Sequence, residues 1–214
     1  MREAATVEAR PYHHGDLRRA LVDAARRILE GEGPSALSLR AVAREAGVSP
    51  AAPYHHFKDK GELLDAVAHV GWDMLGDAMT SAKGRTGDPA AHMTEIGVAY
   101  VQFSRQHPAL YRVMYDCSRD KDMLPEGMQD NEDSAYCQVR ETFRALAGPT
   151  VAEVDIELAT IAAWCAAHGL AEMTSFRQFD PLKDGLGGEE GFLRAVLGHL
   201  GMFPAARAKA GGNG

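Results

Sequence analysis

Nine histidines and three cysteines are the residues of this chain best suited to metal or nucleophile chemistry, and their spacing argues against both. His13-His14 and His55-His56 are adjacent pairs. Neighbours on a helix point apart, so neither pair offers two ligands to one ion. The sequence holds no HExxH, GxSxG, phosphate-binding loop or strand-framed GxGxxG. Cys117, Cys137 and Cys165 are odd in number, widely spaced and without a CxxC pair. That pattern fits reduced thiols rather than a disulfide framework or zinc site, and leaves open a redox role for one of them. No catalytic residue, metal or cofactor is expected, and a metal-dependent enzyme is the disfavoured reading.

A second set of residues has binding rather than bond-making chemistry. Between positions 72 and 136 large apolar and amphipathic side chains accumulate, among them Trp72, Met93, Tyr100, Phe103, Tyr111, Tyr115 and Tyr136. Such residues build an ordinary helical core, but Met and aromatic side chains with a few polar groups also line adaptable small-molecule pockets. Trp164 and His168 stand four residues apart and share a helix face, so His168 is either a satisfied core histidine or a polar anchor for a ligand. Ala159, Ala163 and Ala166 give the same segment a small-sided face that lets another helix approach closely. With Leu193, Val196, Leu197 and Leu200 of the last segment, it suits a four-helix bundle made by two copies of the chain.

The elements that position these residues read as helices throughout. Leu17, Leu21, Ala24, Ala25, Ile28 and Leu29 recur at helical spacing, and Gly31 and Gly33-Pro34 end the run. Ser38 caps a short helix that stops at Gly47, and Ser49 caps a third that runs towards Phe57. Asp59 and Glu62 form a capping-box-like start to a fourth helix fading near Thr80. Asp88-Pro89 opens a helix to about Gln106, and His107-Pro108 breaks it. Further helices are expected through Tyr115, up to Ala147, from about Val151 to Phe176, and from Glu189 to Gly201. A loop is expected around Pro181, Gly185, Gly187 and Gly188. The fold class is therefore all-α: an N-terminal three-helix helix-turn-helix domain fused to a larger helical ligand-binding and dimerisation domain. We divide it as a mobile arm (1–12), helix-turn-helix (13–60), effector-binding and dimerising body (61–203) and disordered tail (204–214).

Two short helices joined by a tight Gly-containing turn form a helix-turn-helix, whose second helix enters the major groove. The segment LSLRAVAREAGVSPAAPYHHFKDKGELL resembles the DNA-binding module of the TetR/AcrR family of regulators. Ala-x-x-x-Gly-Val-Ser, Tyr-x-His-Phe and Lys-x-x-Leu-Leu stand in register, over about residues 14 to 70. Trp164-x-x-x-His168-Gly169 resembles, over a shorter stretch, the motif of the WHG-type C-terminal subgroup. By position the resemblance implies that Ser49, Pro50, Ala51, Ala52, His55 and His56 face the groove. It also implies that Tyr54 and Lys60 donate to phosphate, while Ser38 and Arg40 lie where the second helix meets the backbone. Pro53 departs from the family pattern. It lacks the amide that would bond the Ser49 carbonyl and biases Ala52 away from helical angles, so the first turn of the reading helix is expected to be loosened.

Charge is distributed in keeping with this reading. Residues 1–60 hold 10 Lys or Arg against 8 Asp or Glu, and 61–214 hold 13 against 22, so a net +2 reader sits on a −9 body within a total of −7. No apolar run reaches the ~18–20 residues that span a bilayer, and MREAATVEARPYHHG lacks a signal-peptide core, so a cytoplasmic protein without membrane contact is expected. The functional expectation is a homodimeric repressor that leaves an inverted-repeat operator on double-stranded DNA when a small-molecule effector binds. A constitutive dimeric DNA-binding protein is the alternative.

Overall fold

The computed structural model describes residues 14–83, 88–119 and 134–200. The arm and the tail expected from sequence lie outside the described residues. Nine α-helices and no strand occur among the described residues. The chain forms two compact units that meet in sequence between Val67 and Ala68.

The first unit contains α1 (His14–Glu32), α2 (Leu39–Glu45), a 3-10 segment (Ala52–His55) and the first turns of α3 (Lys60–Lys83). Leu21, Ala24, Ala25, Ile28 and Leu29 of α1 are buried together with Leu39, Val42 and Ala43 of α2, Phe57, and Leu63 and Val67 of α3. Ser38 caps α2 by accepting from the Ala41 amide at 3.1 Å. The end of α2 is a paired C-cap: the Gly47 amide donates to Arg44 at 3.2 Å and the Val48 amide to Ala43 at 2.9 Å. Gly47 sits at φ +69°, where a side chain is strained by its own backbone. At α3, Glu62 donates its amide to Asp59 Oδ1 at 2.9 Å, and its own carboxylate accepts from the Lys58 amide at 2.8 Å. The turn is thus closed by backbone bonds at its α2 end and by the Asp59 and Glu62 side chains at its α3 end.

The second unit contains the rest of α3, α4 (Pro89–Gln106), α5 (Pro108–Arg119), α6 (Ala135–Ala147), α7 (Glu153–Met173), a 3-10 turn (Arg177–Phe179), α8 (Asp180–Gly185) and α9 (Glu189–Leu200). Helix α4 is its centre and packs on α6, α7 and α9. Asp88 opens it by accepting from the Ala90 and Ala91 amides, with Pro89 at the position where no amide is needed. Gly97 lets α9 close in, since a Cβ there would lie 2.9 Å from Leu197 Cδ1. Arg194 fastens the same pair through Glu95, with Nη2 at 3.0 Å, and Arg105 pairs with Glu189 at 2.9 Å. Helix α8 replaces the expected loop around Pro181. Proline there occupies the first helical turn, where it favours a helix start rather than a break.

Helix α7 is long and apolar enough to cross a membrane by length and composition, unlike the sequence expectation. One face, formed by Ile156, Thr160, Trp164, Ala167 and Leu170, is buried in the unit, with α7 packed on α4 and α6. Val154, Leu158 and Ile161 of the same helix are exposed, Leu158 by 59%.

Candidate nucleic-acid interface and polar aromatic cluster

In the first unit the segment after Gly47 does not complete an α-helix. Ala52 donates to Ser49 at 3.0 Å and Tyr54 to Ala51 at 3.2 Å, both three residues back, as does His56 to Pro53 at 2.9 Å. Proline removes the donor that a four-residue repeat needs at position 53, and its ring is buried, so the turn tightens into the 3-10 form. The reading segment is accordingly a single short turn over Ala52–His55 rather than a helix from Ser49 to Phe57. Phe57 anchors it from beneath at 1% exposure, with the Arg18 guanidinium 5.2 Å from its ring centroid.

Of the ten positions singled out for DNA, Ser38, Arg40, Ser49, Pro50, Ala51, Tyr54, His55 and Lys60 are exposed, and Ala52 and His56 are half-buried. Tyr54 shows 53% of its surface. Lys60 donates one proton to the Pro34 carbonyl at 3.0 Å, which fixes the ammonium and leaves it two further protons. Ser38 acts as acceptor in its cap and so keeps its hydroxyl proton to give. Arg44 and Lys58 are exposed in the same unit, and the family pattern did not point to them.

In the second unit seven of the nine proposed ligand residues come together. Tyr100 at the middle of α4 brings its hydroxyl to those of Tyr115 (2.5 Å) and Tyr111 (2.9 Å), and to His168 Nδ1 at 3.2 Å. Tyr111 reaches the same nitrogen at 2.5 Å. Trp164 stacks its edges against Tyr100 and Tyr136, with centroids 5.3 and 5.6 Å away, and Trp72 lies 5.2 Å from Tyr115. Tyr136 donates to Glu157 Oε1 at 2.6 Å. Burial pushes the phenols of Tyr100, Tyr111 and Tyr115 well up; neighbouring phenols add to this at Tyr100 and Tyr111, and Glu172 adds at Tyr111. Burial and the bond to Glu157 do the same for Tyr136. All four therefore act as neutral hydroxyls.

The other two ligand candidates lie elsewhere. Phe103 packs on His107 and helps line a cleft of about 260 Å³ between α3 and α4, with Met74, Ala78, Gln102 and Gln106. Met93 is half-buried near the start of α4. Gln102 and Gln106, four apart on α4, were the readable signal for that cleft.

The residues assigned to a dimer face divide. Ala159, Ala163, Ala166 and Val196 are half-buried, and the side chain of Leu200 lies outside the described residues. Leu193 has no exposed surface and Leu197 fills the notch at Gly97, so both serve the core of one subunit. Small residues marked where α4 and α9 meet, whereas the large exposed side chains of α7 mark the surface left over.

Residues 21–67 match the family described as bacterial regulatory proteins, tetR family, and residues 93–197 match the tetracyclin repressor-like C-terminal domain. No curated protein matches the sequence. Among solved structures, a Rhodococcus sp. RHA1 protein with unknown function is 30% identical, over 89% of this chain and 96% of that one, with a TM-score of 0.67. A TetR family transcription regulator from Marinobacter aquaeolei VT8 is 22% identical, over 86% and 94%, with a TM-score of 0.58. One from Haemophilus influenzae RD is 18% identical, over 87% and 94%, with a TM-score of 0.60. The two domain matches together cover most of the chain, in the order reader then body, and the chain belongs to the TetR family of bacterial transcription regulators.

Proposed function

We propose that this regulator is a ligand-responsive repressor, acting in the cytoplasm as a two-fold symmetric homodimer on an inverted-repeat operator. Tyr54, Lys60, Ser38 and Arg40 hold phosphate, while Ser49, Pro50, Ala51, Ala52, His55 and His56 meet the groove. Few of the groove residues are strong donors, so methyl contacts to thymine and backbone amides carry much of the base readout. The dimer forms across α7, where Val154, Leu158, Ile161 and Cys165 are exposed beside Ala159, Ala163 and Ala166. An apolar row of that size on an otherwise packed helix is a surface for a second copy.

The observation that carries the sensing half is the chain of three buried hydroxyls ending on His168. A helical core gains little from burying four polar groups that must all be satisfied together, whereas a ligand site uses them to fix orientation. Release follows if the effector binds the DNA-incompetent dimer better, by at most that difference in affinity. The test is selection of bound duplexes from a random pool, followed by a small-molecule screen for release. Enrichment of inverted repeats and a compound that lowers operator affinity support the reading. A protein that selects DNA but is released by no compound is a constitutive binder.

A further inference from the structure

Cations of the first unit are held in two different ways. Arg26 and Arg27 of α1 are engaged by carboxylates, Glu30 at 3.4 Å and Glu45 at 2.9 Å, which offset their charge within the fold. Lys60 is held by a neutral group, the Pro34 carbonyl at 3.0 Å. Arg18, about one turn into α1, belongs with Lys60. Its guanidinium carbon lies over the Phe57 ring, 5.2 Å from the centroid, and the residue is exposed.

The two kinds of contact differ in what they leave to offer. A carboxylate offsets the charge of a guanidinium and occupies its N–H donors. An aromatic face attracts the charge without supplying a lone pair, so an exposed guanidinium keeps its charge and its donors for another acceptor. The ring also orders the side chain beforehand. A long side chain already held in place loses less freedom when a ligand arrives.

Phe57 ties this cation to the reading turn. Its amide donates to the Pro53 carbonyl at 2.9 Å, just beyond Tyr54 and His55, and its ring is 1% exposed. Arg18 reaches it from α1, ahead of the helix-turn-helix in sequence. Arg19 is exposed as well, but successive residues on a helix point apart, so it does not share this position.

We propose that Arg18 is a further DNA contact, a phosphate-binding residue positioned in advance by the Phe57 ring beside the reading turn. This rests on the placement of DNA against Tyr54 and Lys60. A guanidinium fits two phosphate oxygens at once, and a backbone contact of this kind fixes position without reading sequence.

Salt titration of affinity tests it on the full-length protein, with a duplex selected from a random pool and a scrambled duplex of equal length. Arg18→Met keeps a long apolar stem over Phe57 and removes the charge and the donors. It should weaken binding on the order of tenfold near 0.1 M salt and flatten the slope of log affinity against log salt by about 0.9. Both duplexes should lose the same factor, because they present the same phosphates. Arg19→Met should change the slope much less. If Arg18 only shields Phe57, Arg18→Met loses stability in urea and keeps the wild-type slope, and the proposal is overturned. A loss confined to the selected duplex, or equal flattening by Arg19→Met, overturns it too. Lys60→Gln in the same series separates the two claims. A slope that falls for Lys60→Gln but not for Arg18→Met removes Arg18 alone, whereas a slope unmoved by either removes the DNA surface as well.

Discussion

Tyr100→Phe is the substitution that most cleanly weighs the buried network. The ring stays, with its packing against Trp164 at 5.3 Å and Tyr111 at 6.0 Å, and only an oxygen is removed from a side chain 2% exposed. Tyr111 keeps its 2.5 Å bond to His168. Tyr115 loses its 2.5 Å hydrogen-bond partner, and a buried polar group left without one costs about 1–3 kcal/mol. For a chain of this length each kcal/mol lowers Tm by about 2–4 °C, so a fall of roughly 2–12 °C is expected. The assay is thermal and urea unfolding at one fixed protein concentration, because a dimer would couple stability to concentration. The urea midpoint should fall with an unchanged slope. Tyr54→Phe, on an exposed ring, is the control and stays within about 0.5 kcal/mol of wild type. A Tyr100→Phe variant as stable as wild type, or more stable, would refute the hydrogen-bond chain as drawn.

Gly47→Ala should cost about 1 kcal/mol by urea unfolding, since a Cβ there meets nothing within 4 Å and the penalty is the positive φ alone. In alkali, Tyr100, Tyr111 and Tyr115 stay protonated in the fold but ionise near pH 10 once unfolded. Above pH 10 the folded state therefore holds more protons, and stability falls as pH rises, by about 1.4 kcal/mol per pH unit for Tyr100 alone. Their tyrosinate absorbance should rise together with loss of helical circular dichroism; ionisation ahead of unfolding contradicts their burial. Leu158→Glu with Ile161→Glu should give a folded monomer by sedimentation with weakened operator binding, and a dimer with wild-type affinity would place the interface elsewhere.

The helices were largely legible because their signals are local. Ser38, Asp59 and Asp88 cap where their side chains reach the next amides, and Gly47 stops α2 through its own backbone. Pro53 also acted locally, and its missing amide foretold the short reading turn. What escaped was long-range. Leu193 and Leu197 have the spacing of an interface, yet Gly97 on a distant stretch of chain provides the notch that draws α9 inward. Phe103 has the same composition signal as Tyr100, three residues away, but α4 turns it to the cleft rather than the cluster. The convergence of three phenols on one imidazole depends on the relative rotation of α4, α5 and α7, which periodicity within a single helix does not contain.

Binding of duplex DNA by the exposed surface from Ser38 to Lys60 is the central proposal for this protein. Salt titration of affinity for a selected duplex tests it, comparing wild type with Lys60→Gln. Each phosphate contact contributes about −0.9 to the slope of log affinity against log salt. Lys60→Gln should weaken binding at every salt concentration and flatten the slope by about 0.9, because the Lys60 ammonium is exposed and fixed by the Pro34 carbonyl. An unchanged affinity with an unchanged slope would contradict the placement of DNA on this surface.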